Sequence, residues 1–515
     1  MILDMLDNGS PSNVAIAVSG GGPVVTYDQL RRQVDSLAAR LNQLGLGRGD
    51  RIAMALPNGL EMIVSFLAAS AVGAAAPLNP AYRLDEFKFY LEDTGARALI
   101  IPPAGPSTGM DEARAAAGDQ TLVIEADLDS DGQVRYSSSG TIGSPRAREY
   151  PGPDETALVL HTSGTTSRPK RVPLSHTNLE ISARNVAETY HLTAEDVSLC
   201  VMPLFHVHGL VASTLATLLT GGTVIAPARF NPLSFWSTVR DHRVSWYSAV
   251  PTIHQVLLAR SRGGARPAGA EHLRFVRSCS AALPPQTMTD LEERFGAPVL
   301  EAYGMTEAAH QMASNPLPPG ARKPGSVGRG TAVSIAILDE AGNLLPAGAT
   351  GEVSIKGPNV FSGYEGNAEA TAASFSNGWF RTGDQGYLDN DGYLTLVGRI
   401  KELINRGGEK ISPREIDEAL LAHPAVAEAV CFGVPDRVYG EGVAAAVTLT
   451  GEATEAELIA HCRASLADFK CPNVIYIVEA IPRTATGKIQ RRNVAAEIAK
   501  TRGSRIEDRG SRTAS

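Results

Sequence analysis

Short apolar runs of strand length alternate with amphipathic helical stretches along most of this chain, and that alternation limits the fold more than any other feature. Thr26 and Gln29 have the Thr-x-x-Gln spacing of a helix capping box. Leu30, Val34, Leu37 and Leu41 then recur every three or four residues, and Gly45 offers a stop. Residues 51–56 read as an apolar strand closed by Pro57-Asn58-Gly59, and residues 61–71 as a second helix. The rhythm continues through candidate strands at 98–101, 158–160, 223–225, 245–248, 273–276 and 298–300. Strands separated by helices predict parallel sheets with helices packed on them.

After about Gly325 the texture changes. Residues 334–338, 351–356 and 393–397 are strands parted by Gly, Asn and Asp turns, which predicts an antiparallel or barrel-like subdomain. A further unit begins near Arg399. Ser412-Pro413-Arg414-Glu415 reads as a capping box with proline at the first helical position, and its helix runs to about Ala422. Residues 426–434 and 443–449 follow as strands of a compact α+β domain. The tail from about Thr501 is polar and charged, and is expected to be disordered.

At roughly 100–200 residues per domain, 515 residues hold several domains with ample core. A content of 43% hydrophobic and 20% charged residues argues against disorder as the main state. The net charge of −8, with no Lys/Arg block, argues against a nucleic-acid or anionic-membrane partner. The most apolar stretch, residues 63–78, falls short of the roughly 20 apolar residues a membrane span needs, so a buried helix is expected there. No basic n-region or long apolar h-region opens the chain, so no signal peptide is expected. Five scattered cysteines with no C-x-x-C pair suit neither a disulfide framework nor a zinc site, and the expected location is the reducing cytoplasm.

Four segments carry chemistry. Thr162-Ser163-Gly164-Thr165-Thr166-Ser167-Arg168-Pro169-Lys170 follows a candidate strand and crowds hydroxyls, a glycine and two cations, which suits a polyphosphate, although it is no Walker A loop. Tyr303-Gly304-Met305-Thr306-Glu307 puts an aromatic face, a hydroxyl and a carboxylate at a strand end, where α/β sheets place ligands. A carboxylate beside phosphates suggests Mg²⁺. Thr382-Gly383-Asp384 with Gly398-Arg399-Ile400-Lys401 offers an aspartate and an arginine to a ribose. Thr486-Gly487-Lys488 sets a lysine behind a glycine turn. Each taken alone has a plainer explanation: a solvated Ser/Thr turn, a helix cap, a turn aspartate, a surface lysine.

Together, in this order from about Thr26 to Arg492, the four resemble the adenylate-forming superfamily of acyl-CoA synthetases, luciferases and adenylation domains. Within it the chain looks most similar to oxalate–CoA ligases. The residues behind that are Ser167, Pro203-Leu-Phe-His206-Val-His208-Gly209, Arg277-Ser-Cys-Ser280, Thr306-Glu-Ala-Ala-His310 and Ile404-Asn-Arg-Gly-Gly-Glu409-Lys410. One departure is Arg171, where relatives usually follow the loop lysine with glycine. If that position needs φ > 0, strain on the order of 1 kcal/mol is expected; an ordinary strand φ would remove it.

The resemblance implies an α/β fold: a large N-terminal domain (1–398) of two parallel-type sheets plus a small barrel-like subdomain, a hinge (399–404), and a small mobile α+β C-terminal domain (405–495). It implies a two-step reaction. A carboxylate attacks the α-phosphate of ATP to give acyl-AMP and diphosphate, and the thiol of coenzyme A then displaces AMP. Carried over, Thr162, Ser163, Gly164, Thr165, Thr166 and Lys170 hold phosphates, and Ala281, Ala282, Tyr303 and Gly304 line the nucleotide site, with Tyr303 stacking on adenine. Thr306 contacts the α-phosphate, Glu307 binds Mg²⁺, and Asp384 and Arg399 hold the ribose. Lys488 bridges acid and phosphate in adenylation, with Thr306 and His206 also at the reacting centre. Lys401 is the hinge about which the small domain rotates, and Gly407, Gly408 and Glu409 face coenzyme A. His206, His208, His254, Ser280 and His310 would line the acid pocket. So polar a lining suits oxalate, with Ser280 and His310, the latter as an imidazolium, reading its spare carboxylate. Another short or dicarboxylic acid, a longer acyl chain, and a non-catalytic nucleotide-binding scaffold are the alternatives. The expected partners are ATP, coenzyme A and a small acid, in a monomer or homodimer with no membrane span.

Overall fold

A computed structural model describes residues 2–105, 110–162, 169–261, 263–483 and 489–500. Two compact units divide the chain. One comprises Met1–Leu283, Thr287–Ile335 and Ile355–Phe380, and the other Pro284–Gln286, Ala336–Ser354 and the chain from Arg381 onward.

The first unit holds two large sheets. In one, seven strands run in the order Val134–Ser138, Leu122–Leu128, Ala96–Ile101, Arg51–Met54, Ala74–Pro77, Thr156–Thr162, Lys170–Ser175. The inner pairs are parallel and both edge strands antiparallel. In the other, nine strands run in the order Arg329–Gly330, His310–Ser314, Val299–Met305, Phe275–Ser278, Trp246–Ala249, Val197–Leu199, Thr223–Ile225, Val14–Ala17, Val24–Thr26. Its centre is parallel from Val14–Ala17 across to Val299–Met305.

The helix Tyr27–Gln43 opens with the expected capping box: Thr26 accepts from the Gln29 N–H, and the Gln29 side chain accepts from the Thr26 N–H. It ends at Leu44, followed by Gly45 at φ +92°. The apolar stretch is only partly the expected helix: residues up to Val72 lie in the helix Leu60–Val72, buried on nearly every side, while Ala74–Pro77 is a buried strand of the seven-stranded sheet. Among the described residues no helix is long and apolar enough to cross a membrane.

In the second unit, a compact domain orders its strands Glu409–Ile411, Ile404–Arg406, Gly440–Leu449, Val426–Asp436, with Val474–Ile477 parallel to Gly440–Leu449. Ile411, Ile416, Leu420, Val443, Ala445, Leu458 and Ile475 fill its core beneath the helices Pro413–Leu421 and Glu455–Ser465. The capping box expected at Ser412 does not form. Its hydroxyl instead donates to the Val397 carbonyl at 2.6 Å, and the helix relies on Pro413 in its first turn. All five cysteines are free and buried.

Candidate active site

The central strands of the nine-stranded sheet release the candidate residues from their carboxyl ends, where parallel sheets place ligands. Val197–Leu199 leads to His206 and His208, Trp246–Ala249 to His254, Phe275–Ser278 to Ser280, and Val299–Met305 to Thr306 and Glu307. Strand pairing sets Ser248 directly beside Arg277. The same face receives Tyr190, at the end of the helix His176–Thr189, and a π-helix at His208–Leu215.

The π-helix begins against the backbone of the preceding turn. A Cβ at Gly209 would lie 2.5 Å from the Pro203 carbonyl oxygen, so only glycine fits there. Asn58 clamps that turn, donating to the Met202 carbonyl and accepting from the Leu204 N–H, both at 2.8 Å. Half-buried His206 accepts at Nδ1 from the His208 N–H at 3.2 Å.

Arg277 is fully buried, and no carboxylate stands among its hydrogen-bond partners. It donates to the Tyr190 hydroxyl at 2.9 Å, Ser248 Oγ at 2.9 Å, Gln311 Oε1 at 3.0 Å and His310 Nδ1 at 3.4 Å. His208 lies between two serines, with Nε2 2.6 Å from Ser248 Oγ and Nδ1 3.0 Å from Ser280 Oγ. The rings of His208 and His310 are 5.2 Å apart. His208, Ser280 and His310 are therefore brought together, whereas His254 meets this group only through the Arg277 backbone. It sits in the helix Pro251–Ser261 with Nδ1 3.3 Å from the Tyr247 hydroxyl, and burial lowers its pKa to about 4.

The backbone around these residues is strained. Ser280, Ala309 and His310 have φ of +74°, +51° and +127°, each costing roughly 1–3 kcal/mol. Hydrogen bonds hold the bend: Ser182 donates to the Ala309 carbonyl and Asn359 to that of Ala308, both at 2.9 Å. Gly304 is required here, because a Cβ would meet the His310 carbonyl oxygen at 2.1 Å. Tyr303 is buried, while Ala281 and Ala282 are exposed.

Glu307 is buried, and the Tyr364 hydroxyl donates to its Oε1 at 2.8 Å. The Lys170 ammonium lies 4.3 Å from the centre of the Tyr364 ring. Tyr364 thus joins the carboxylate expected to meet a metal to the lysine expected to meet phosphates. Thr162 and Lys170 face each other across the strand pair on either side of the segment expected to meet phosphates. Residues Ser163, Gly164, Thr165 and Thr166 of that segment, and Lys488, lie outside the described residues.

Arg171 pairs with His161 inside the strand, at an ordinary φ, so the strain considered for it does not arise. Its guanidinium bonds to the Asp93 carbonyl and lies near the carboxylates of Asp93 and Glu365, while its own carbonyl accepts from the Glu365 N–H at 3.1 Å. Asp93 also meets His161 Nε2 at 3.0 Å. Burial lowers the His161 pKa, opposed by that carboxylate. This charged group ties the strand Lys170–Ser175 to the segment carrying Tyr364.

In the second unit, Asp384 and Arg399 are cross-strand partners with Oδ1 and Nε 2.8 Å apart. Lys401 lies exposed on the short turn Ile400–Glu402. Gly407 and Gly408 form the two-residue turn between Ile404–Arg406 and Glu409–Ile411, with φ of +61° and +98°. Positive φ at both positions is what a tight hairpin of that length demands.

Motif reading missed Arg277 as a site residue, and also Ser248 and Tyr364. The signal for Arg277 was a charge directly after the apolar pair Phe275-Val276 at a strand end.

The chain matches two families: AMP-binding enzyme over residues 7–365 and the AMP-binding enzyme C-terminal domain over residues 415–488. It is 50% identical to a Humulus lupulus protein named "Probable CoA ligase CCL9", over 93% of each chain. It is 46% identical to an oxalate–CoA ligase of Arabidopsis thaliana, over 96% of this chain and 97% of that one. The ATP-bound crystal structure of MatB from Rhodopseudomonas palustris superposes with a TM-score of 0.85 at 32% identity, covering 97% of this chain and 98% of that one. The protein is a member of the AMP-binding enzyme family, an ATP-dependent acyl-CoA ligase of the adenylate-forming type.

Proposed function

We propose that the acid is oxalate and the product oxalyl-CoA, with AMP and diphosphate released. The observation that carries this reading is the buried Arg277 guanidinium, with no carboxylate among its hydrogen-bond partners and with Ser280, His208 and His310 gathered at the end of its strand. Oxalate is a dianion at neutral pH. One carboxylate attacks ATP, and burying the other without partners would cost several kcal/mol. A cluster of donors backed by a permanent positive charge offsets that cost, whereas a hydrocarbon chain would leave the same donors unsatisfied. The likeness to the Arabidopsis oxalate–CoA ligase points the same way.

In this reading Tyr303 faces adenine, Asp384 and Arg399 the ribose, Thr306 the α-phosphate, and Thr162 and Lys170 the outer phosphates. Lys488 neutralises the attacking carboxylate and the α-phosphate together during adenylation. Glu307 suits Mg²⁺, because that ion takes one or two carboxylates and fills its remaining positions from phosphate and water. Bound there, Mg²⁺ would supply charge neutralisation on the phosphates. Tyr364 holds the Glu307 carboxylate in place. Lys401 and the Gly407-Gly408-Glu409 turn serve the second step, in which coenzyme A displaces AMP.

The test is AMP release with ATP and coenzyme A against oxalate, malonate, acetate, octanoate and cinnamate. Oxalate should give the highest kcat/KM. His310→Ala should lower that value by about 10- to 150-fold, the worth of one hydrogen bond to a charged group, and should leave propionate turnover nearly unchanged. A preference for octanoate would overturn oxalate as substrate.

A further inference from the structure

A guanidinium carries five N–H donors and no acceptor, so every group it touches must offer a lone pair. Around Arg277 stand Tyr190 from the helix before it, Ser248 from the neighbouring strand, His208 from the π-helix, His310 and Gln311 from the edge strand, and Cys279 two residues on. None is a carboxylate. This set fixes the direction of two hydrogen-bond chains.

In the first chain, Arg277 donates to His310 Nδ1 at 3.4 Å. That nitrogen must hold a lone pair, so the proton of the neutral ring sits on Nε2. In the second, Arg277 also lies 3.5 Å from His208 Nε2, so that nitrogen must hold a lone pair, and Ser248 Oγ, which accepts from Arg277 at 2.9 Å, gives its own hydrogen to it at 2.6 Å. His208 then carries its proton on Nδ1 and donates to Ser280 Oγ at 3.0 Å. Ser280, held at φ +74°, is left with its hydroxyl hydrogen to donate onward.

We propose that Arg277 is a positioning residue that holds His208 and His310 in opposite neutral tautomers, so that the Ser280 hydroxyl and the His310 Nε2–H are presented to the unactivated carboxylate of the acid. The proposal rests on the small-dianion reading of the pocket. It replaces an imidazolium at His310, because a doubly protonated ring would set an N–H against the guanidinium. The positive charge that favours the anion then belongs to arginine and persists throughout the neutral pH range.

The tautomers are read without substrate, so this test and the substrate test fail independently. Full-length enzyme with ¹⁵N-labelled histidine is examined by long-range ¹H–¹⁵N correlation, using His208→Gln and His310→Gln to assign the signals. His310 should be protonated at Nε2 alone and His208 at Nδ1 alone. Ser248→Ala, a milder change than removing the arginine, should release the His208 tautomer and leave that of His310 fixed. Arg277→Gln should release both, and should lower kcat/KM for oxalate by about 10- to 100-fold with a much smaller loss for propionate. It should also add an ionisation near the ordinary histidine pKa, about 6.5, to the pH profile of kcat/KM. A proton on Nδ1 of His310 in the wild type, or equal losses for oxalate and propionate, would overturn the proposal.

Discussion

The Tyr364 hydroxyl donates to Glu307 Oε1 at 2.8 Å, and the two residues are 57 positions apart in the chain. The same ring lies under the Lys170 ammonium. Tyr364→Phe keeps the ring and removes the hydroxyl. A hydrogen bond to a charged group is worth roughly 1.5–3 kcal/mol, so kcat/KM for MgATP should fall by about 10- to 150-fold. Half-saturation with Mg²⁺ should move to higher concentration, while the KM for the acid stays nearly constant. Steady-state kinetics across a Mg²⁺ series checks this, and an unchanged Mg²⁺ dependence refutes the linkage.

Lys488→Ala should separate the two half-reactions. Pyrophosphate exchange should fall by about 100-fold or more, as expected when a charge-assisted contact made in the transition state is lost. Thioester formation from supplied oxalyl-AMP should be largely preserved. Equal losses in both steps would rule out a lysine confined to adenylation.

Lys401 sits on a three-residue turn, and proline there would fix φ near −65°. Lys401→Pro should leave pyrophosphate exchange intact and block thioester formation. Wild-type turnover in this variant would place the hinge elsewhere or show that rotation is unnecessary.

Acid stability should depend on His254. Its pKa falls from 6.5 to about 4 on burial, so between those values the unfolded chain binds a proton that the folded chain does not. Stability from this group is complete above 6.5 and is lost as the pH drops toward 4. At about 1.4 kcal/mol per pH unit, the loss is on the order of 3 kcal/mol. His176, likewise lowered to about 4, adds a term of the same sign. Denaturant titrations between these pH values should show the fall in wild type, with a smaller fall in His254→Gln.

Local signals in the sequence were enough for the capping box at Thr26 and for the strands Ser334–Leu338 and Gly351–Lys356, whose bounds match the expectation. They misplaced a strand where function intrudes. Apolar runs suggested 273–276, but the strand is Phe275–Ser278, because Arg277 and Ser278 belong to it while looking like its end. They also cut Val299–Met305 short, since its extension depends on antiparallel pairing with His310–Ser314, which no local pattern announces. The site divides in the same way. Tyr303, Thr306, Glu307 and Lys170 stand in recognisable motifs. Ser248 and Arg277 meet through strand register, and Tyr364 reaches Glu307 across the fold. Ser248 and Tyr364 stand in no motif, and Arg277, which opens the run Arg277-Ser-Cys-Ser280, shows nothing there of its burial or its partners.

The burial of all five cysteines bears on chemical selectivity. An acyl-adenylate acylates any accessible thiolate, and the intended acceptor is itself a thiol. Burial pushes the pKa values of Cys200 and Cys462 up to about 11 and raises those of Cys431 and Cys471 as well. These side chains are kept protonated as well as out of reach. The enzyme thus makes a reactive mixed anhydride while these four thiols stay in their less nucleophilic, protonated form.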